Sequence, residues 1–72
     1  MDNAKYFSEY IKELRLEKGL TQKALSSKIG ISQASIARLE NQSHKPQIET
    51  LVAYSLFFNI STDKLLGLED NF

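Results

Sequence analysis

The sequence predicts an all-α fold of five short helices. Apolar residues recur at the spacing of amphipathic helices, and residues able to cap helix ends stand between these stretches. No stretch alternates polar and apolar residues for long enough to indicate a strand. A chain of 72 residues is expected to form one domain, residues 1–72, with a limited core.

The first helix is predicted over residues 3–18. Asp2 or Asn3 can cap its start, and Gly19 can end it in the left-handed conformation. An apolar stripe with the spacing i, i+3, i+4, i+7 would face the core. The stripe consists of Phe7, Tyr10, Ile11 and Leu14.

Two short helices joined by a tight turn are predicted between residues 21 and 41. Thr21 and Ser32 are suitable N-cap residues for these helices, which would cover about residues 22–29 and 33–41. Gly30 stands between them, where the turn calls for a positive φ. A turn of this kind crosses two helices steeply, so the second helix is expected to project from the body of the protein.

Two further helices are predicted within residues 48–66, and a short tail follows over residues 67–72. The fourth helix would end at Phe58, because Asn59 is suited to the left-handed position after a helix. Ser61 is a suitable N-cap for the fifth helix, over about residues 62–66.

The outward face of the helix over residues 33–41 is suited to contacts with DNA bases. Gln33 can form two hydrogen bonds with adenine, and Arg38 can form two with guanine. Ala34 is small enough to let the helix approach the floor of the major groove. The alternative is that Gln33 and Arg38 form an ordinary solvated surface.

Positive charge is concentrated around the same helix. The chain has nine basic and nine acidic residues, and a net charge of zero alone argues against a nucleic-acid partner. Residues 18–46, however, hold five bases and one acid, a balance of +4, whereas residues 1–17 and 47–72 carry −1 and −3. Ser32 and Ser35 can donate hydrogen bonds to phosphates beside the positive helix N-terminus.

This arrangement resembles the helix-turn-helix of the phage repressor and Cro family of transcriptional regulators. The matching residues are Thr21-Gln22, Leu25, Gly30, Ile31-Ser32, Ile36, Leu39-Glu40-Asn41 and Lys45-Pro46. The similarity covers about residues 8–67, which is nearly the whole chain. It implies a five-helix fold like that of the lambda repressor DNA-binding domain, and sequence-specific binding of double-stranded DNA.

The resemblance also implies roles for individual residues. Base edges would be contacted by Gln33, Ala34 and Arg38. Phosphate contacts, or bracing of the residues that make them, would come from Gln22, Ser32, Ser35, Asn41, Ser43 and Lys45, with Gln22 bracing Gln33. The helix over residues 33–41 would be the recognition helix, which enters the DNA groove. An ion pair between Arg15 and Glu40 would clamp the first helix to the end of this recognition helix.

Apolar residues towards the C-terminus predict contact with a second copy of the chain. The predicted dimer interface consists of Leu56, Phe57, Leu66, Leu68 and Phe72. A two-fold dimer through the fifth helix and the tail would place two recognition helices about 34 Å apart on a palindromic operator. The alternative is a tail that folds back over its own core.

Catalysis and cofactor binding have little support in the sequence. There is no cysteine, and His44 is the only histidine, so a metal site is not expected. A Ser–His–Asp set can be named from Ser43, His44 and Asp63, but no nucleophile motif surrounds these residues. We therefore expect no enzymatic activity, no cofactor and no small-molecule ligand.

The sequence shows neither a signal peptide nor a membrane span. No uninterrupted apolar region follows the N-terminus, and no apolar run approaches about 18 residues. We expect a cytoplasmic protein without membrane contact.

A small DNA-binding transcriptional regulator is the leading functional hypothesis. The family resemblance includes phage repressors, restriction–modification controllers and antitoxins, and the sequence does not separate them. An antitoxin or protein-interaction module that uses the same helical scaffold is the alternative, and a purely structural role is a third.

Overall fold

The computed structural model describes residues 2–41 and 45–68. This part of the chain contains no strand and five helices: α1 (Asn3–Glu17), α2 (Gln22–Ile29), α3 (Gln33–Asn41), α4 (Ile48–Phe58) and α5 (Thr62–Leu65). The predicted all-α class is confirmed. Helices α1 and α5 each end one residue earlier than expected, because Lys18 and Leu66 are their C-cap residues.

Side-chain caps determine where four of the helices begin, and the cap of α3 is Ser32. Asp2, Thr21 and Ser61 accept hydrogen bonds of 3.0–3.1 Å from backbone N–H groups in the first turns of α1, α2 and α5. Each cap provides a partner for N–H groups that a helix cannot satisfy internally, and such a bond typically contributes about 1 kcal/mol. Asn59, with a φ of 56°, ends α4 in the predicted left-handed conformation.

The core receives side chains from all five helices. Its buried apolar members among the described residues are Phe7, Ile11, Leu14, Leu25, Ile36, Leu39, Tyr54, Phe58 and Leu65. Helix α3 packs against α1 and α2, while α5 packs against α1 and α4. Helix α3 thus meets the core through Ile36 and Leu39, and its other side is left at the surface.

Tyr54 lies at the centre of the aromatic part of the core. Its ring is fully buried, edge-on to Phe7 at a centroid distance of 5.8 Å and stacked on Phe58 at 6.0 Å. Its hydroxyl oxygen is buried and has no hydrogen-bond partner in the described structure. An unpaired buried hydroxyl is rare in proteins, because its desolvation is not offset by a new hydrogen bond.

Two side-chain hydrogen bonds tie α1 to the rest of the fold. Asn3 Nδ2 donates to the carbonyl oxygen of Leu66 at 2.6 Å, which joins the start of α1 to the end of α5. The buried hydroxyl of Ser8 donates to the carbonyl oxygen of Leu39 in α3.

None of the helices in the described ranges combines the length and the apolar character needed to cross a bilayer.

Candidate nucleic-acid interface

The turn between α2 and α3 has the geometry of a helix-turn-helix. Gly30 adopts φ 76° and ψ 22°, and its N–H donates to the carbonyl oxygen of Ser26 at 3.1 Å. Ser32 then starts α3, because its Oγ accepts from the N–H of Ser35 at 3.1 Å. Ile31, between these two residues, is half-buried against the core. The turn is therefore anchored on its inner side and directs α3 along the protein surface.

The outward face of α3 is exposed to solvent. Gln33, Ala34 and Arg38 are all exposed. Within the part of the chain that the structure describes, the side chains of Gln33 and Arg38 form no hydrogen bond or ion pair. Their donors and acceptors are consequently available to a partner, as a base-contacting surface requires.

The far end of α3 is held by a buried ion pair with α1. Arg15 Nε lies 2.7 Å from Glu40 Oε2, and Arg15 Nη2 lies 2.8 Å from Glu40 Oε1. The two side chains are 9% and 0% exposed. Arg15 Nη1 also donates to the carbonyl oxygen of Leu20 at 2.7 Å. The guanidinium group thereby connects α1, the α1–α2 turn and the last turn of α3.

The ion pair keeps Arg15 charged in spite of its burial. The hydrogen bonding that Arg15 donates to Glu40 is the largest influence on this group and raises the pKa of Arg15 above its ordinary value. Desolvation acts in the opposite direction but is the smaller effect. A charged Arg15 can therefore supply both N–H bonds to Glu40 at any physiological pH.

Gln22 joins the same network rather than the one expected for it. Its Nε2 donates to Glu40 Oε1 at 3.1 Å, whereas the family resemblance implied bracing of Gln33. The carboxylate is a stronger acceptor than an amide oxygen, and it lies within reach of the first residue of α2. Gln22 is half-buried. The second hydrogen on its Nε2 remains available, so the network does not exclude the phosphate contact expected for this residue.

Polar and basic groups line a depression beside the exposed face of α3. It has a volume of about 270 Å³ and is lined by Ser35, Arg38, Leu39, Lys45, Pro46, Gln47 and Thr50. The side chain of Gln47, the N-cap residue of α4, makes no capping hydrogen bond. Cationic side chains and unpaired helix N–H groups are the donors that phosphate oxygens accept from.

The other predicted phosphate contacts lie towards the two ends of α3. Ser32 and Ser35 stand at the start of α3, where the Ser32 hydroxyl donates to Ser35 Oγ at 2.8 Å. Asn41 is exposed at the end of α3, and Lys45 is exposed beyond it. Ser43 falls outside the described residues. The described members of the predicted set thus follow both ends of the exposed face of α3.

The predicted dimer residues do not share one environment. Leu56 and Leu68 are 76% and 60% exposed, but Phe57 and Leu66 are half-buried and pack against the core of their own chain. Phe57 is also covered by Lys18, whose Nζ lies 5.7 Å from the ring centroid. Phe72 lies outside the described residues. The sequence interpretation therefore overstated the exposure of Phe57 and Leu66.

An exposed apolar stripe on α4 was missed. Ile48 is 77% exposed and Val52 is 42% exposed, and neither was assigned a function from the sequence. Both precede Leu56 at intervals of four residues, so all three lie along one side of the helix. The low polar content of α4, with Glu49 as its single charged residue, was the available signal.

Among the described residues, no group of three or more His, Cys, Asp and Glu side chains could hold a metal ion. The candidate site is thus a surface of amides, hydroxyls and cations. These groups are suited to hydrogen bonds with phosphate oxygens and with the edges of nucleic-acid bases.

Comparison with known proteins also identifies a helix-turn-helix in this chain. The family model described as helix-turn-helix matches residues 11–65. The chain is 34% identical over 65 residues to the uncharacterized HTH-type transcriptional regulator YobD of Bacillus subtilis, covering 90% of this chain and 58% of that protein. It is 34% identical over 64 residues to the HTH-type transcriptional activator BcrR of Enterococcus faecalis, covering 89% of this chain and 31% of the activator.

A third relative, the HTH-type transcriptional regulator ImmR of Bacillus subtilis, is 35% identical over 60 residues, which is 83% of this chain and 47% of ImmR. The chain therefore spans 31% to 58% of the length of these three relatives. No solved structure matched the chain significantly. Since the family model covers most of the chain and includes α2, the turn and α3, the chain belongs to the Cro/C1-type helix-turn-helix family.

Proposed function

We propose that this chain is a sequence-specific double-stranded DNA-binding regulator of transcription. In this proposal α3 enters the major groove, and Gln33, Ala34 and Arg38 contact base edges. One observation carries the proposal: α3 is fixed at both ends, by the Gly30 turn and by the Arg15–Glu40 ion pair, while its outward polar side chains are exposed and have no partner among the described residues. A rigid helix with free donors is what direct base recognition needs.

The phosphate contacts would fix the register of this helix. We assign them to Gln22, Ser32 and Ser35 at one end of α3, and to Asn41, Ser43 and Lys45 at the other. Support for this assignment comes from the exposure of Lys45 and Asn41 and from the depression that Ser35 and Lys45 help to line. Local positive charge would attract DNA even though the overall charge is zero.

The regulator would act as a dimer on a palindromic operator. A single exposed recognition helix contacts few base pairs, and a two-fold dimer doubles the contacts at a fixed spacing. The exposed apolar residues of the C-terminal half, such as Leu56 and Leu68, favour association with a second copy. The relatives are named transcriptional regulators, which also supports the expectation that the chain is not an enzyme. Acting on chromosomal DNA would place it in the cytoplasm.

Selection of bound sequences from random duplex DNA tests the proposal. The expected result is a consensus of two inverted half-sites whose centres lie about one helical turn, roughly 34 Å, apart. Affinity should also fall steeply as the salt concentration rises, because phosphate contacts release counterions. Recovery of no consensus, together with salt-insensitive binding, would favour the protein-interaction module instead.

A further inference from the structure

We propose that Glu40 positions the Gln22 side chain for a contact with the DNA phosphate backbone, and that Gln22 acts independently of Gln33. This proposal rests on the proposed function and deepens it, because it gives Gln22 a role in affinity and none in the choice of base. It takes the place of the bracing of Gln33 that the family resemblance implied. Glu40 is a positioning residue in this proposal, since it acts on DNA through Gln22.

The carboxylate of Glu40 determines which end of the Gln22 amide faces inwards. Gln22 Nε2 lies 3.1 Å from Glu40 Oε1, and only the nitrogen of an amide can donate a hydrogen bond to a carboxylate. The amide oxygen would be repelled at the same place. A hydrogen bond to an ionised acceptor is also stronger than one between two neutral groups. The Gln22 amide is therefore held in one orientation in the DNA-free protein.

Glu40 can hold Gln22 because it is itself immobilised. Its side chain is 0% exposed and accepts two hydrogen bonds from Arg15, at 2.7 and 2.8 Å. The cation of Arg15 offsets the negative charge of Glu40 at short range, so the pair as a whole repels a nearby phosphate little. A side chain supported in this way loses less conformational entropy when it binds a partner than one that rotates freely.

The same hydrogen bond draws Gln22 away from Gln33. Glu40 follows Gln33 by seven residues in α3, which is two turns or about 10 Å along the helix axis. Gln33 is exposed and has no side-chain partner among the described residues, whereas Gln22 is half-buried beside Glu40. The two amides thus lie in separate environments, towards opposite ends of α3.

The second hydrogen on Gln22 Nε2 is the one assigned to a phosphate. The nitrogen carries two hydrogens, and Glu40 accepts one of them. Glutamine side chains are among the donors that bind phosphate oxygens in protein–DNA complexes, and such contacts carry no sequence information. Gln22 should therefore raise affinity without altering the choice of base. Since the amide is uncharged, it should also leave the salt dependence of binding unchanged.

Hydrogen exchange of side-chain amides, measured by NMR, tests the orientation without DNA. The Gln22 amide should exchange more slowly than the Gln33 amide, because one of its hydrogens is bonded to a buried carboxylate. Gln33 is a matched internal reference, since it is also a glutamine at the first position of a helix but is exposed. Equal exchange rates for the two amides would overturn positioning by Glu40.

Selection from random DNA with Gln22→Met separates affinity from base choice. Methionine has a similar length but no donor. The substitution should raise the Kd for the native operator roughly tenfold, with the same consensus and the same salt dependence. Gln33→Met is the matched variant and should weaken the preference at one base position, which identifies the base that Gln33 contacts. A weakened preference at that same position in Gln22→Met would overturn the proposal in favour of bracing.

Double substitutions measure the two relationships directly. When Gln22→Met and Gln33→Met are combined, their fold-changes in Kd should multiply to within about twofold, as for independent sites. In a Glu40→Gln background, Gln22→Met should raise the Kd by only about twofold to threefold, because the amide has lost its ionised acceptor. Glu13→Gln, at an exposed residue of α1, is the control for the loss of one negative charge.

An equal effect of Gln22→Met in the native and Glu40→Gln backgrounds would contradict positioning by Glu40. Circular dichroism would establish that each variant is folded. The exchange measurement on the native chain decides the orientation of Gln22 even if Glu40→Gln does not fold.

Failure of this proposal can be separated from failure of the proposed function. A native chain that selects a consensus, with Gln22 and Gln33 strongly coupled, would overturn the proposal and leave DNA recognition intact. A native chain that selects no DNA sequence would overturn the proposed function and, with it, the phosphate contact of Gln22.

Discussion

Arg15 and Glu40 form a two-bond ion pair, with N···O distances of 2.7 and 2.8 Å, that joins α1 to the last turn of α3. Both side chains are almost completely buried. The pair therefore helps to fix the orientation of α3 as well as to stabilise the fold. This contribution matters because Ile36 and Leu39 are the only buried apolar side chains of α3.

Replacement of Arg15 should be strongly destabilising. Arg15→Ala leaves the Glu40 carboxylate buried without its cation, and the expected loss in the free energy of unfolding is about 3–5 kcal/mol. Arg15→Lys keeps the charge but cannot make two parallel bonds, so an intermediate loss is expected. Urea denaturation measures both, with Lys12→Ala on the exposed side of α1 as the control. An unchanged midpoint for Arg15→Ala would contradict the role of the buried pair.

Gly30 is required for its backbone conformation and not for its small size. Gly30 has a φ of 76°, and a Cβ added there would have no other atom within 4 Å. Gly30→Ala should therefore cost only the left-handed strain, about 1–2 kcal/mol, and Gly30→Asn should cost less. Thermal denaturation of the two variants measures the order. Equal losses would indicate that contacts, and not φ, make the glycine necessary.

Removal of the unpaired Tyr54 hydroxyl should stabilise the fold. Its buried oxygen has no partner in the described structure, so Tyr54→Phe removes a desolvated polar group without breaking a hydrogen bond. We expect a gain of about 1 kcal/mol at pH 7. Tyr6→Phe, at a residue that is 38% exposed, is the matched control and should change little. A clear loss of stability for Tyr54→Phe would show that the hydroxyl has a favourable role.

The same hydroxyl should make the protein sensitive to alkali. Burial, followed by the nearby charge of Glu40, raises the pKa of Tyr54 well above its usual value, and the smaller effect of Arg15 acts in the opposite direction. The unfolded chain loses this proton near pH 10 while the folded chain retains it, so stability should fall as the pH rises beyond about 10. Unfolding free energies measured from pH 8 to 11 should decline more steeply for the native sequence than for Tyr54→Phe. Parallel curves would contradict the assignment.

Arg38 should matter for DNA and not for folding. Arg38→Ala should weaken binding to the selected operator by about 1–3 kcal/mol and relax the preference at one base position. Its side chain is exposed and has no partner in residues 2–41 and 45–68, so the free energy of unfolding should shift by no more than about 0.5 kcal/mol. Lys64→Ala, which removes an exposed basic residue of α5, is the control for the loss of one positive charge. Equal effects of the two substitutions on DNA affinity would contradict a base contact by Arg38.

Sequence patterns predicted the helices well, because their ends are determined locally. Thr21 and Ser61 cap from neighbouring positions, and Gly30 and Asn59 adopt left-handed conformations that few other residues accept. The side of α4 that faces the core was harder to predict. With one charged residue in eleven, this helix has no polar side that identifies its core face, so Phe57 was expected outside and Ile48 was overlooked.

The partner of Gln22 could not have been predicted from spacing. Gln22 and Glu40 are 18 residues apart and meet only because α2 and α3 cross. The competition between the Gln33 amide and the Glu40 carboxylate for Gln22 Nε2 depends on distances in the folded protein. Whether Gln22 also reaches a phosphate remains a prediction.

The two sides of α3 differ in what a substitution there would disturb. Ile36, Leu39 and Glu40 are buried in the body of the protein, whereas Gln33, Ala34 and Arg38 are exposed and form no side-chain hydrogen bond with another described residue. Substitutions at Gln33, Ala34 and Arg38 therefore remove little packing and should have little effect on stability. Under the proposed function, the chain would serve as a scaffold for retargeting, in which new base preferences are introduced at these three outward positions while the inner side keeps the helix in place.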